Sequence, residues 1–262
     1  LGCGWLGFPL AKALIKDHYM VRGSTTTVQK LKALSEAGIE PFLISLAENG
    51  TTGDMDTFIT GLNTMIINIP PNLRGVQKES YKNKIQHLSH ALQNTSLENL
   101  IFISSISVYG DVHGRITEYT PPKPHTESGH QILAAEGIIK GLPHLNTTII
   151  RFGGLIGADR HPINQLAGRK DLQSGDEKIN LIHLDDCIGL IKTILTKNYW
   201  NITINGVYPH HPTKKEYYTS EALKKGLIPP SYLSNPVKKD YKTIENDSHT
   251  VKIYRYKTTI LG

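Results

Sequence analysis

The chain opens on Leu1-Gly2-Cys3-Gly4-Trp5-Leu6-Gly7, a G-x-G-x-x-G motif followed at once by an apolar helical run. Three glycines at this spacing solve one problem, a sharp turn from strand into helix whose backbone can be approached closely. Gly2 is expected to make the turn, Gly4 to leave room for a pyrophosphate, and Gly7 to let the helix pack on the strand. The helix N-terminus then offers amide donors and a favourable dipole to an anion. Gly2, Gly4, Trp5, Leu6 and Gly7 are therefore candidate dinucleotide contacts; the alternative is a glycine-rich turn that serves packing alone. Only Leu1 stands ahead of the motif, so the strand leading into it is inferred, not read.

Beyond the glycines the chain has the rhythm of βαβ units. Helical patterns fall near residues 8–16, 28–37 and 78–93, with short apolar strand-like runs at 19–23, 41–45, 64–69, 100–104 and 147–152. Each run ends in polar, Gly or Pro residues, as buried parallel strands do. The fold expected is α/β, a Rossmann-type doubly wound parallel sheet with a small C-terminal substrate lobe. Residues 1–152 plus about 180–206 are assigned to the dinucleotide-binding domain, with a helix from near Asp185 and a strand at 201–205. Residues 153–179 and 207–262, which are Lys-, Pro- and Tyr-rich toward the end, are assigned to the lobe.

Cofactor choice in such folds is set about 20 residues past the glycines, where an acid commonly binds the ribose 2′-hydroxyl. Here the sequence reads Arg22-Gly23-Ser24-Thr25-Thr26-Thr27, with no acid. Ser24, Thr25 and Thr26 beside an arginine suit a 2′-phosphate, so NADP is favoured over NAD; equally, these hydroxyls can serve as strand-end and helix-cap groups. Ile69 and Pro70, in Asn68-Ile69-Pro70-Pro71, end an apolar run where a cofactor wall or a plain loop would stand.

Composition excludes several classes. Hydrophobic residues at 39% and charged residues at 20% describe a globular chain. No stretch approaches the roughly 20 apolar residues that span a bilayer, so no membrane partner is expected. Cys3 and Cys187 lie far apart, which fits a reducing, cytoplasmic setting. The twelve histidines form no spaced set with Cys or carboxylates, so no metal is expected. Of the net charge of +6, five charges lie from Val207 onward, where ten Lys/Arg meet five Asp/Glu. That excess suits an anionic substrate or a solvated surface; without a finger, basic helix or aromatic-basic stripe, no nucleic-acid partner is expected. A small-molecule substrate is the partner expected.

The segment Phe102-Ile103-Ser104-Ser105-Ile106-Ser107-Val108-Tyr109-Gly110-Asp111 resembles the serine-rich strand end and V-Y-G of extended short-chain dehydrogenases/reductases, the NAD-dependent epimerase/dehydratase-like family. Thr117-Glu118, Pro121, Pro124, Arg151-Phe152 and Ile182-His183-Leu184-Asp185-Asp186 keep that family's order, and the resemblance runs to about Asn205. It implies that Ser105 is the serine that hydrogen-bonds the substrate hydroxyl or carbonyl and that Ser104 lies at the cofactor; a serine in this place can instead satisfy local backbone. It also implies a Tyr-x-x-x-Lys pair. In Thr126-Glu127-Ser128-Gly129-His130-Gln131-Ile132-Leu133-Ala134-Ala135-Glu136, alignment on Glu136 puts Ser128 and Ile132 at those positions, so the usual dyad is absent. His125, His130, Glu127, Tyr109 and Tyr119 are the candidates to replace it. The departure resembles the family's atypical branch, as does Val207-Tyr208-Pro209-His210-His211-Pro212 with Glu216-Tyr217-Tyr218 and Gly226-Leu227-Ile228-Pro229. Asp185 and Asp186 are expected to cap the following helix.

These features support two functions. One is an NAD(P)-dependent oxidoreductase, epimerase or dehydratase acting on a sugar or nucleotide sugar. The other is a non-catalytic NAD(P)-binding sensor or regulator, which the missing dyad favours. A surface-interaction module resting on the basic C-terminal stretch is the third and weakest.

Overall fold

The computed structural model describes residues 1–71, 79–233, 241–246 and 254–261. Lys78, the expected start of the third helix, lies outside the described residues, as do parts of the C-terminal lobe.

The elements begin with α1 (Gly7–Lys16), β1 (Arg22–Thr25), α2 (Gln29–Glu36) and β2 (Glu40–Leu43). A small hairpin, β3 (Ser45–Ala47) and β4 (Gly50–Thr52), leads through α3 (Met55–Ile59) to β5 (Thr64–Ile67). Next come α4 (Tyr81–Leu92), β6 (Asn99–Ser105), a 3-10 turn at Ile106–Tyr109, β7 (Arg115–Ile116), α5 (Glu127–Lys140) and β8 (Asn146–Phe152). The remainder is β9 (Gly154–Ile156), α6 (Ile163–Leu166), β10 (Leu181–His183), α7 (Leu184–Lys197), β11 (Thr203–Gly206), α8 (Lys214–Lys224) and β12 (Thr243–Ile244).

Two compact units result. The first comprises residues 1–110, 122–151 and 191–204; the second comprises 111–121, 152–190 and 205–262. In the first, β1 pairs parallel with β2 in a two-stranded sheet, and β5 pairs parallel with β6 in a separate sheet ordered β11-β8-β6-β5. The non-consecutive order is what helical crossovers between parallel strands produce. Leu1 to Cys3 run between β5 and β1: Asn68 N donates to the Leu1 carbonyl (2.9 Å) and Cys3 N to that of Ser24 (2.8 Å). Below them a slot of about 690 Å³ opens between the two strands, lined by Leu10, Leu14, Phe58 and Met65.

Strand β6 is buried along most of its length, as an interior strand covered on both faces must be. Helix α1 buries Gly7, Leu10, Ala11 and Leu14, one stripe at helical spacing. Helices α4 and α5 pack together, burying Ile85, Leu88 and Leu92 on one side and Ile132, Ala135 and Ile139 on the other. The strand expected at 19–23 begins at Arg22 instead. His18, at φ 65°, turns the chain after α1, which leaves Tyr19 and Met20 exposed ahead of the strand.

The second unit has its own core of Ile156, Ile163, Ile179, Leu181, Tyr217, Tyr218, Ala222 and Ile260. Residues 180–190 pack here because β10 pairs parallel with β9. Helix α8 starts on a capping box, Thr213 with Glu216, of the kind that fixes a helix start. Among the described residues no helix is long and apolar enough to cross a membrane.

Candidate functional site

The glycine loop takes the shape its spacing demands. Gly2 sits at φ +96°, and a Cβ there would collide with the Asn68 carbonyl oxygen. A Cβ on Gly7 would collide with the carbonyl oxygen of Gly2, so α1 can approach the loop only with glycine at that point. Gly4 differs: it is exposed, and a Cβ on it would meet nothing within 4 Å. That open space above the loop is where a bulky ligand group can reach the backbone. Leu6 at the N-cap of α1 makes no side-chain cap hydrogen bond, and the first turn carries no acid to compete with an anion. Trp5 is half-buried beside the opening, whereas Leu6 and Gly7 are buried beneath it.

Two strand ends are stitched to this loop. Gly2 N donates to Ser24 Oγ (2.8 Å), and Asn68 Nδ2 donates to the Gly2 carbonyl (3.2 Å). Ser24 and Thr25 are buried, and Thr25 Oγ1 accepts from Thr27 N (3.2 Å); Thr26 is exposed. The Ile69 carbonyl accepts from the Tyr81 hydroxyl (3.0 Å), and Pro70 is exposed just beyond it. The loop, Ser24 to Thr26 and Asn68 to Pro70 thus converge at the ends of β1 and β5. Arg22 does not join them. Its guanidinium pairs with Glu40 (3.0 Å) and donates to the carbonyls of Thr57 (2.8 Å) and Thr60 (2.6 Å) at the other end of β1, so the arginine expected beside a 2′-phosphate is engaged elsewhere.

Ser105 ends β6 and caps the 3-10 turn: its Oγ accepts from Ser107 N (3.1 Å). That bond uses a lone pair of the oxygen and leaves the hydroxyl proton to be donated elsewhere. Ser104, one residue earlier, points into the core. Its hydroxyl donates to Glu136 Oε1 (2.6 Å), and Glu136 also accepts from Arg151 Nε (2.9 Å) and Nη2 (2.6 Å). Arg151 Nη1 in turn donates to the Tyr109 hydroxyl (2.9 Å). Burial acts to lower the Arg151 pKa, but the hydrogen bond and charge of Glu136 outweigh it and hold the guanidinium above its ordinary value. The sequence singled out Ser104 and Tyr109 separately and missed that Glu136 and Arg151 bind them into one buried network. An Arg on one apolar strand and a Glu on the inner face of the neighbouring helix are the signal for it.

The residues standing at the family's dyad lie on α5. Ser128 is half-buried and Ile132 only 6% exposed, an apolar side chain where a cation would be needed. Gln131 is committed to α4, its Oε1 accepting from Tyr81 N (2.5 Å). Of the proposed replacements, Glu127 accepts from Gln131 (2.6 Å), His130 Nδ1 pairs with the Thr126 carbonyl (2.9 Å), and Tyr109 belongs to the buried network. Tyr119 is 76% exposed in the second unit. His125 also lies beside the turn that Ser105 caps: a Cβ on Gly110 would stand 3.4 Å from His125 N.

In the second unit Asp186 does not cap α7. Its buried carboxylate accepts from the Tyr254 hydroxyl (2.8 Å), Lys257 N (2.7 Å), Thr258 N (3.1 Å) and the Thr258 hydroxyl, tying down the C-terminal segment. The cap is His183, whose Nδ1 accepts from Asp185 N (3.2 Å). The positive excess after Val207 is also diluted by packing: the whole second unit carries fifteen Lys/Arg against thirteen Asp/Glu.

Parallel strands, glycine loop and serine turn together define a Rossmann-type fold. No family model matches the chain. It is similar to Protein YeeZ of Escherichia coli (strain K12), at 33% identity over 234 residues, covering 88% of this chain and 85% of that protein. The chain belongs to YeeZ's family. It is also similar to the uncharacterized UDP-glucose epimerase YtcB of Bacillus subtilis (strain 168), 24% identical over 225 residues and covering 74% of this chain and 70% of that protein. Among solved structures, UDP-glucuronic acid 4-epimerase from Bacillus cereus in complex with UDP-glucuronic acid and NAD shares the fold, with a TM-score of 0.78 and 19% identity over 99% of this chain and 92% of that one.

Proposed function

We propose that the protein binds NAD(P)(H) on the glycine loop and acts on a sugar or nucleotide sugar as an oxidoreductase of the epimerase/dehydratase kind. The observation that carries this reading is the loop itself: two glycines enforced by collision, one open to ligand, and an N-terminus of α1 free of side-chain caps and acids. The relatives' names support it, since one is described as a UDP-glucose epimerase and a structure sharing the fold was solved with NAD and a UDP-sugar.

Bound there, the cofactor supplies a nicotinamide that takes up or returns hydride. Gly2, Gly4, Trp5, Leu6 and Gly7 would hold its pyrophosphate, and Ser24 to Thr26 with Ile69 and Pro70 would flank its adenosine half. Ser105 would donate its hydroxyl proton to a substrate oxygen. Ser104 would act by fixing the end of β6 through Glu136. The second unit is the proposed substrate lobe. NADP remains the preferred form: no acid occurs from Arg22 through Ser35, and α2 opens with no side-chain cap hydrogen bond, no acid and Lys30 in its first turn. Free Cys3 and Cys187 fit the proposed reducing, cytoplasmic setting.

Ser128 and Ile132 favour the second reading, a cofactor-binding regulator, because neither can share a proton and a charge as the family's dyad does. A UDP-sugar panel with each nicotinamide cofactor, followed by nicotinamide absorbance and by NMR of the sugar, separates the two. Conversion of a panel member that falls at least about tenfold in Ser105→Ala supports the enzyme; binding of cofactor without conversion of any sugar supports the regulator.

A further inference from the structure

We propose that His161 is a pH-dependent latch: while its imidazole is neutral it fastens the turn entering α6 to helix α8, and on protonation it lets that turn go. All the contacts involved lie within the second unit. The His161 side chain is only 6% exposed, and both ring nitrogens are committed. Nδ1 accepts from Ile163 N (3.1 Å), so it carries no proton; Nε2 carries the single proton of the neutral ring and donates it to the Tyr217 hydroxyl (2.9 Å). The ring also rests against Tyr217 and Tyr218, with centroids 5.7 and 6.4 Å away.

Adding a proton to Nδ1 would set it directly against the Ile163 N–H, donor facing donor. The turn cannot keep its shape through that change. Helix α6 is four residues long, and its N-cap Pro162 makes no side-chain cap bond; what it delivers is Ile163, wholly buried in the core with Ile156 and Ile179. The charged and titratable groups around the ring are Tyr217, Tyr218 and Glu221 on α8, Lys225 just beyond it, and His183 on β10. Glu221 stands 3.8 Å from Nε2 and favours protonation, but it also pairs with Lys224 (2.9 Å). Burial first, then Lys225, outweigh it and hold the imidazole below the ordinary histidine range, so the latch stays closed near neutral pH and opens under acid.

The test is NMR on the full chain. Side-chain nitrogen shifts should report the Nε2–H tautomer at neutral pH. Hydrogen-exchange protection of the Ile163 amide should fall about fivefold or more between roughly pH 7.5 and 4.5, the loss of one hydrogen bond, in step with the His161 titration. His161→Asn, whose amide oxygen can accept from Ile163 N but does not titrate, should keep that protection across the range. An Nδ1–H tautomer, protection in the wild type that ignores pH, or the same acid loss in His161→Asn would overturn the latch. If His161→Asn does not fold, the tautomer and the wild-type titration decide on their own.

Discussion

The glycine loop and helix α5 belong to the same unit, and they treat the family's pattern in opposite ways. In the loop each glycine keeps its place for a visible reason: Gly2 and Gly7 cannot carry a Cβ, and Gly4 faces open space. On α5 the structural half of the pattern is kept while the chemical half is replaced. Glu136 still anchors Arg151 and Ser104 in a buried network, but Ser128 and Ile132 stand where a proton donor and a cation would be. The difference separates two demands that the family usually meets together. Holding a dinucleotide depends on backbone shape and does not itself require the dyad, whereas moving a proton depends on particular side chains.

Removing what α5 keeps should have the largest effect. Glu136→Leu leaves the Arg151 guanidinium buried, with Glu136 no longer there to balance its charge, which costs about 3–5 kcal/mol; urea unfolding should show that loss. A loss under about 1 kcal/mol would mean that the network is loose and that α5 is no more fixed by structure than by chemistry. Restoring what α5 lacks is the smaller, sharper test. Ser128→Tyr with Ile132→Lys should raise hydride exchange by about tenfold or more where general acid–base groups are correctly placed, at some cost in melting temperature because Ile132 lies in the core. An unchanged rate in a folded double variant would show that this face of α5 no longer serves a reaction, which favours the regulator.

Much of the first unit was legible because its determinants are local. The G-x-G-x-x-G spacing, the apolar runs around residues 64–69, 100–104 and 147–152 and the helical pattern before Lys16 each state their structure within a few residues. The strand at Arg22 was misplaced because its start is set by the left-handed turn at His18, which apolar patterning over Tyr19 to Val21 conceals. Asp186 read as a helix cap because it sits in the first turn of α7, but its partners, Tyr254, Lys257 and Thr258, are nearly seventy or more residues away. Arg22 misled for a related reason: a strand-end arginine near hydroxyls suggests phosphate, yet long-range carbonyls from α3 and the residue after it claim it first. His161 gave no signal at all, because its role depends on α8 passing beside it. Long-range partners of single polar side chains are the part of a site that spacing does not encode.

The proposed function requires that the open glycine loop bind a nicotinamide dinucleotide even though α5 lacks the dyad. Titration calorimetry of the wild type and Gly4→Asp with NADPH, NADH and their oxidised forms tests it most directly, since the aspartate would fill the open space and set a negative charge against the pyrophosphate. Saturable binding by the wild type is expected, tighter for the NADP forms, with weakening by roughly 100-fold (~2.7 kcal/mol) in a Gly4→Asp variant that still folds. Absence of binding to all four forms, or equal binding by Gly4→Asp, would contradict it.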